Sequence, residues 1–242
     1  MPGFISLLII IAGAGVESAV AASSTALANS MVSEHPRLLF RTANWPDGPS
    51  LEDIASRADS PPFDRWYSRL SRNDFHTAAL DWLIRVSRGQ AGESDSLADS
   101  VLARMLALPS DDDLFFNGEN LQRMSLAYDW LYNYEGFTPE MKQALRAKMF
   151  AMAAKLMDRD GETGQMYLGP EIFHNYYSNG ALALGLTGLA LYEGFRDTSS
   201  TKLIRLAMDW YSRSFEAMAL LEGGWHEGMA YNLNHFLQET PI

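Results

Sequence analysis

Two short stretches hold most of the side chains that could serve a reaction. "FHNYYSN" spans 173–179 and "GGWHEGMAYN" spans 223–232. In the first, His174, Asn175, Tyr176, Tyr177, Ser178 and Asn179 run straight into a long apolar segment. The N–H groups and positive dipole end of a helix starting there suit a carboxylate. Asn175 and Asn179 stand at i,i+4 and share a helical face, as do His174 and Ser178. The plainer reading is a capped helix with polar residues at its rim. In the second stretch the glycines permit a tight turn that presents Tyr231. Glu227 lies one helical turn before Tyr231 and His235 one turn after it, so a helix there would put all three on one face. A phenol titrates near ~10, so Tyr231 acts as a base near neutrality only beside a positive group or hydrogen-bond donors. His226, His235 or an arginine could supply that. The plainer reading packs the Tyr231 ring and leaves its hydroxyl in water.

Other candidates are weaker. "HEGMA" is not a zinc-protease motif, because Ala230 stands where the second histidine is required. Trp225 could stack on a sugar face, although core packing is the default for such a ring. Glu227 reads equally as a first-turn acid favoured by the helix dipole. His35 and His76 read as structural. The acidic run at 111–113 reads as a solvated loop, and calcium there would be an outlying case.

The elements that must position these residues are helical. Periodic apolar positions predict helices over 63–72, 75–88, 94–107, 120–134, 138–157, 174–194 and 198–221, with another start near 227. Thr138 is the expected N-cap of its helix, with Pro139 in the first turn. "RLLF" at 37–40 is the one short strand candidate. "SNGALALGLTGLALYEG" at 178–194 is apolar nearly all round, which marks a buried helix. Gly185 and Gly188 inside it each cost about 1 kcal/mol relative to alanine, so close helix packing is the expected compensation. "ALDWL" at 79–83, "AYDWL" at 127–131 and "AMDWY" at 207–211 share Ala-x-Asp-Trp. Their aspartates read as caps or loop anchors. Recurring helix pairs predict stacked α-hairpins, as a solenoid or a closed toroid.

Composition sets the outer bounds. Hydrophobic residues are 47% and aromatics 12% of 242 residues. That is enough for a large folded core. With no cysteine, disulfides and thiolate metal sites are excluded. A net charge of −11 argues against nucleic acid. The apolar run "FISLLIIIAGAGV" followed by "SAVAAS" reads as a signal peptide cut after Ala21 or Ala28. An export signal at 1–28 and a helical domain over 29–242 are therefore expected, with a periplasmic or secreted product and no stable membrane insertion after cleavage. An uncleaved anchor is the alternative, because the first residues carry no lysine or arginine.

In order along the chain, "HPRLLF", "LAYDWLYNY…TPEMKQALR", "HNYYSNGALALGLTGLALYEG" and "GGWHEGMAYN" resemble the helical domain of the heparinase II/III-like polysaccharide lyases. The resemblance covers about residues 35–239. It implies an all-α fold, an incomplete α/α toroid, followed in that family by β-sandwich domains. The family also places a further catalytic histidine beyond Ile242, so a chain truncated at its C-terminal end is the expectation. It implies β-elimination on a uronic-acid polysaccharide, with Tyr231 and His174 or Asn175 at the matching catalytic positions. Asn179, Tyr177, Trp225, His226 and Glu227 are the candidate substrate-binding residues. The chemistry is coherent with these residue types. Elimination removes a proton α to a carboxylate, which must be neutralised by a donor as charge develops. His174 or Asn175 could do this, and Tyr231 could move the proton. No cofactor or metal is required. The rival readings are a toroidal glycoside hydrolase, with Asp129, Asp209 and Glu227 as candidate carboxylates, and a non-catalytic sugar-binding fragment.

Overall fold

A computed structural model of the chain describes residues 34–42, 50–70, 73–109, 114–157, 175–194 and 196–220. These residues are all-helical: eight helices and no strand are found among them. They are α1 (Leu51–Arg57), α2 (Phe63–Tyr67), α3 (Phe75–Ser87), α4 (Ala91–Ala107), α5 (Leu114–Leu131), α6 (Pro139–Met157), α7 (Asn175–Leu191) and α8 (Thr198–Leu220). None of the described helices is long and apolar enough to cross a membrane.

Local chemistry sets several boundaries. Ser50 caps α1: its hydroxyl accepts from Asp53 N at 3.1 Å, and Asp53 accepts from Ser50 N at 3.1 Å. The α1 segment carries no strong apolar period, so periodicity alone predicts no helix there. As expected from Thr138 and Pro139, α6 begins at Pro139, and Met141 N donates to Thr138 Oγ1 at 3.3 Å. The α3–α4 turn uses Gly89, whose φ is 76°. That left-handed conformation suits glycine.

Alternate helices run parallel. At one end of α3, Asp74 lies 3.9 Å from Arg123 of α5; further along, Trp82 meets Tyr134 just past α5, ring centroids 5.6 Å apart. Gln122 of α5 bonds Asn179 of α7, and Ser125 reaches Thr187 at 3.0 Å. Thus α3, α5 and α7 lie side by side in one direction. Their hairpin partners run back. Asn117 near the start of α5 donates to Met152 O late in α6 at 3.1 Å. Arg104 late in α4 bonds the carbonyl of Asn73, just before α3. The starts of α5 and α7 therefore lie level with each other, while α3 begins further along, beside Arg123 in the middle of α5.

The core lies between these rows. Leu121, Met124, Leu131, Leu145, Met149 and Met152 are fully buried where α5 meets α6. Between α7 and α8 the two glycines do what their positions suggest. A Cβ at Gly185 would stand 3.1 Å from Ala207 Cβ, and one at Gly188 only 2.7 Å from Ile204 Cγ1 and 2.8 Å from the Ser200 carbonyl oxygen. The helices touch backbone to backbone there, which is the compensation for two residues of poor helix propensity.

"RLLF" at 37–40 is not a strand. Leu38 and Phe40 are buried, and Leu39 sits at a φ of 66°. The amides of Arg37 and Leu38 donate to the Asp129 carboxylate at 2.9 and 2.8 Å instead of entering a ladder. The only pairing nearby among the described residues is an isolated bridge between Arg41 and Ser50.

Candidate functional site

The candidate site is the end of the stack where α5 and α7 begin. Asn175 is the first residue of α7, and the apolar run behind it is buried: Ala181, Ala183, Leu184, Ala190 and Leu191 are almost fully covered. The helix start thus arrives at the polar stretch noted in the sequence.

Asn179, one turn into α7, is buried. Its Nδ2 donates to the Phe115 carbonyl at 3.0 Å. Gln122 Nε2 donates to the Asn179 carbonyl at 3.1 Å and to its Oδ1. Both polar atoms of this side chain bond α5, which fixes the start of α7 against the start of α5. Gly118 makes the approach possible, since a Cβ there would stand 3.0 Å from Asn179 Nδ2. Sequence reasoning misses Gln122, which nothing in the sequence sets apart from the other polar residues of α5.

A charged group flanks this junction. His76 Nδ1 lies 2.8 Å from Asp74 Oδ1, and Arg123 lies 3.9 Å from Asp74 and 3.5 Å from Glu119. Burial opposes the charge on Asp74, but the hydrogen bond from His76 and the Arg123 charge together hold its carboxyl below the usual range. Arg123 keeps 40% of its side chain in solvent. Phe116 is 52% exposed on the first turns of the same helix.

Of the sequence-predicted residues, Asn175 and Tyr177 fall on α7, with side chains outside the described set. His174, Trp225, His226, Glu227 and Tyr231 lie outside the described residues, as do His235 and the acidic run at 111–113. Asn179 is the one whose contacts are defined, and those contacts are to protein.

The aspartates of the Ala-x-Asp-Trp stretches have separate roles. Trp82, Trp130 and Trp210 are all buried. Asp129 is fully buried and accepts from His35 Nδ1 at 2.6 Å, as well as from the Arg37 and Leu38 amides. Asp81 is buried and accepts from the Tyr67 hydroxyl at 2.7 Å and Arg85 Nε at 3.0 Å. Burial first, and then the bond to Asp81, push the Tyr67 phenol above its ordinary value. Asp81 and Asp129 therefore anchor upstream segments. Asp209 breaks the pattern: 60% of its side chain is exposed, and it pairs with Arg213 at 3.0 Å. It sits on α8, outside the α3–α5–α7 row. As a pair of glycosidase carboxylates, Asp129 and Asp209 are poorly placed, one sealed from solvent and the other on an open surface.

A cavity of about 540 Å³ opens beside Tyr67, Ser68, Leu70 and Asp81. None of the sequence-predicted site residues lines it. Among the described residues, no group of three or more metal-ligating side chains is gathered.

No known protein-family model, curated protein or solved structure matches the chain.

Proposed function

We propose that this chain is the helical part of an exported polysaccharide lyase that cleaves a uronic-acid-containing polymer by β-elimination. In this reading the hairpins form part of an α/α toroid. The substrate carboxylate is held at the start of α7 by His174 or Asn175, and Tyr231 takes the α-proton and returns a proton to the leaving oxygen. The reading is carried by one observation: α7, sheathed in apolar contacts, begins at Asn175 level with the start of α5, to which Asn179 ties it. Two helix N-termini side by side provide a field that favours an anion, and elimination needs its largest stabilisation where the enolate charge develops. Asn179 and Gln122 would be positioning residues for that helix start. Tyr177, Trp225, His226 and Glu227 would contact sugar.

The test is direct. The chain is incubated with alginate, heparan sulfate, hyaluronan and pectate, and the ultraviolet absorbance of the new C=C bond is followed. Absorbance that grows with one polymer and vanishes in Tyr231→Phe, with the helical signal intact, supports the reading. New reducing ends without absorbance would replace it with hydrolysis. Sugar affinity without turnover would replace it with binding alone.

A further inference from the structure

The segment 34–42 is fastened to the stack by a histidine whose surroundings admit one protonation state. His35 is buried and stacks on Tyr132, ring centroids 3.7 Å apart. Its Nδ1 lies 2.6 Å from Asp129 Oδ1, and its Nε2 faces Arg37 Nη2 within bonding distance. A guanidinium has donors and no acceptor, so Nε2 must offer a lone pair. The carboxylate accepts only, so Nδ1 must carry the hydrogen. The two partners together select the neutral tautomer with Nδ1–H. An imidazolium would aim a second N–H at the donors of Arg37, inside a site with no room for water between them.

We infer that His35 is an acid-released latch: protonating its imidazole frees segment 34–42 from the helical stack. The charges around it agree. From the segment itself come Arg37, Glu34 and Arg41; from α5 and its end come Asp129, Tyr128 and Tyr132; from α6 come Arg146 and Lys142, whose ammonium lies 4.2 Å over the Tyr132 ring; and just past α7 come Tyr192 and Glu193. Arg37 and Lys142 oppose a positive imidazole, and Asp129 favours it. Burial outweighs the Asp129 bond and lowers the His35 value. A lowered histidine contributes stability that is complete above the unfolded value, about 6.5, and is lost as pH falls from there toward the folded value. The latch holds at neutral pH and loosens in acid.

Release would undo a defined set of bonds. Arg37 and Leu38 N–H leave Asp129, Arg37 Nη1 leaves the Tyr192 carbonyl (2.9 Å), and Asn133 Nδ2 leaves the His35 carbonyl (2.6 Å). The buried Leu38 and Phe40 are exposed with them.

The amides of Arg37 and Leu38 report the latch directly. Their hydrogen-exchange protection in the full chain, corrected for the intrinsic pH dependence of exchange, is compared between about pH 7.5 and about pH 5.5. The expected result is a fall of about tenfold, the limit for one group titrating near 6.5 only when released, with protection of Leu203 in α8 unchanged. In His35→Gln, whose amide can donate to Asp129 and accept from Arg37 without titrating, the ratio should stay flat. Unchanged wild-type protection, or an equal fall in His35→Gln, overturns the inference. Should that variant not fold, the ring nitrogens of wild-type His35 decide. A neutral Nδ1–H ring at about pH 6 that protonates only as protection is lost supports the latch; an imidazolium with both amides still protected overturns it.

Discussion

Gly188→Ala is the sharpest test of the packing. In an open helix the change should stabilise by about 1 kcal/mol, the propensity difference. Here the new methyl would meet Ile204 Cγ1 at 2.7 Å, the Ser200 carbonyl oxygen at 2.8 Å and Ile204 N at 3.0 Å. Carbon contacts are comfortable at about 3.5–4.0 Å, so the neighbours must retreat by roughly 1 Å. The Ile204 side chain can rotate away, but the other two atoms belong to the backbone of α8, and α8 must shift as a body. Overpacking of this kind costs typically about 1–3 kcal/mol. Because backbone is involved we take the upper part of that range, which leaves a net loss of about 2 kcal/mol after the propensity gain. For a chain of this size that lowers Tm by about 4–8 °C. Gly185→Ala is the internal control: its methyl meets only Ala207 Cβ, at 3.1 Å. Its net change should lie within about 1 kcal/mol of zero. Urea and thermal unfolding followed by circular dichroism measure both. A Gly188→Ala protein as stable as wild type, or one more stable than Gly185→Ala, would refute a backbone contact between α7 and α8. Full recovery of Gly188→Ala by Ile204→Ala would also refute it, by showing that a side chain alone sets the cost.

Asp129→Ala strands buried His35 and the amides of Arg37 and Leu38. It should destabilise by about 3–5 kcal/mol, and a loss under about 1 kcal/mol in urea unfolding would contradict the anchor. Asn179→Ala removes the bond to the Phe115 carbonyl and one of the two made by the Gln122 amide, and should cost about 1–2 kcal/mol in the same measurement. Asp209→Ala removes only a surface pair with Arg213. It should change stability by less than about 0.5 kcal/mol, and a cost equal to that of Asn179→Ala would contradict the contrast between the two sites. Tyr231→Phe should remove the ultraviolet signal of elimination while leaving circular dichroism unchanged, and turnover near the wild-type rate would sink the proposed role of that phenol.

Much of the helical skeleton is legible because apolar spacing states it openly. The helices expected over 75–88, 138–157 and 198–221 are found at Phe75–Ser87, Pro139–Met157 and Thr198–Leu220. The misreadings have physical causes. The start of α5, expected at 120, lies at Leu114, and Gly118 within it serves to admit the Asn179 amide. The helix expected over 63–72 stops at Tyr67, whose hydroxyl is tied to Asp81. In "RLLF", apolar residues flanked by turns look like a strand, but a carboxylate more than ninety positions away takes the amides a strand would have paired. The pairing of Asn179 with Gln122 is likewise invisible, since nothing local to either residue names the other. Periodicity carries the helices, and long-range polar partners lie beyond it.

The Asp129 anchor also orders events in time. Tyr67 finds Asp81 only 14 residues downstream, but His35 must wait for a partner 94 residues away. Contacts of such sequence separation form late, because a long loop has to close before they contribute. During synthesis the oily patch of Leu38 and Phe40 would leave the ribosome well before its seat on α5 exists. That early, uncovered interval is where a chaperone would be needed and where misassembly would begin.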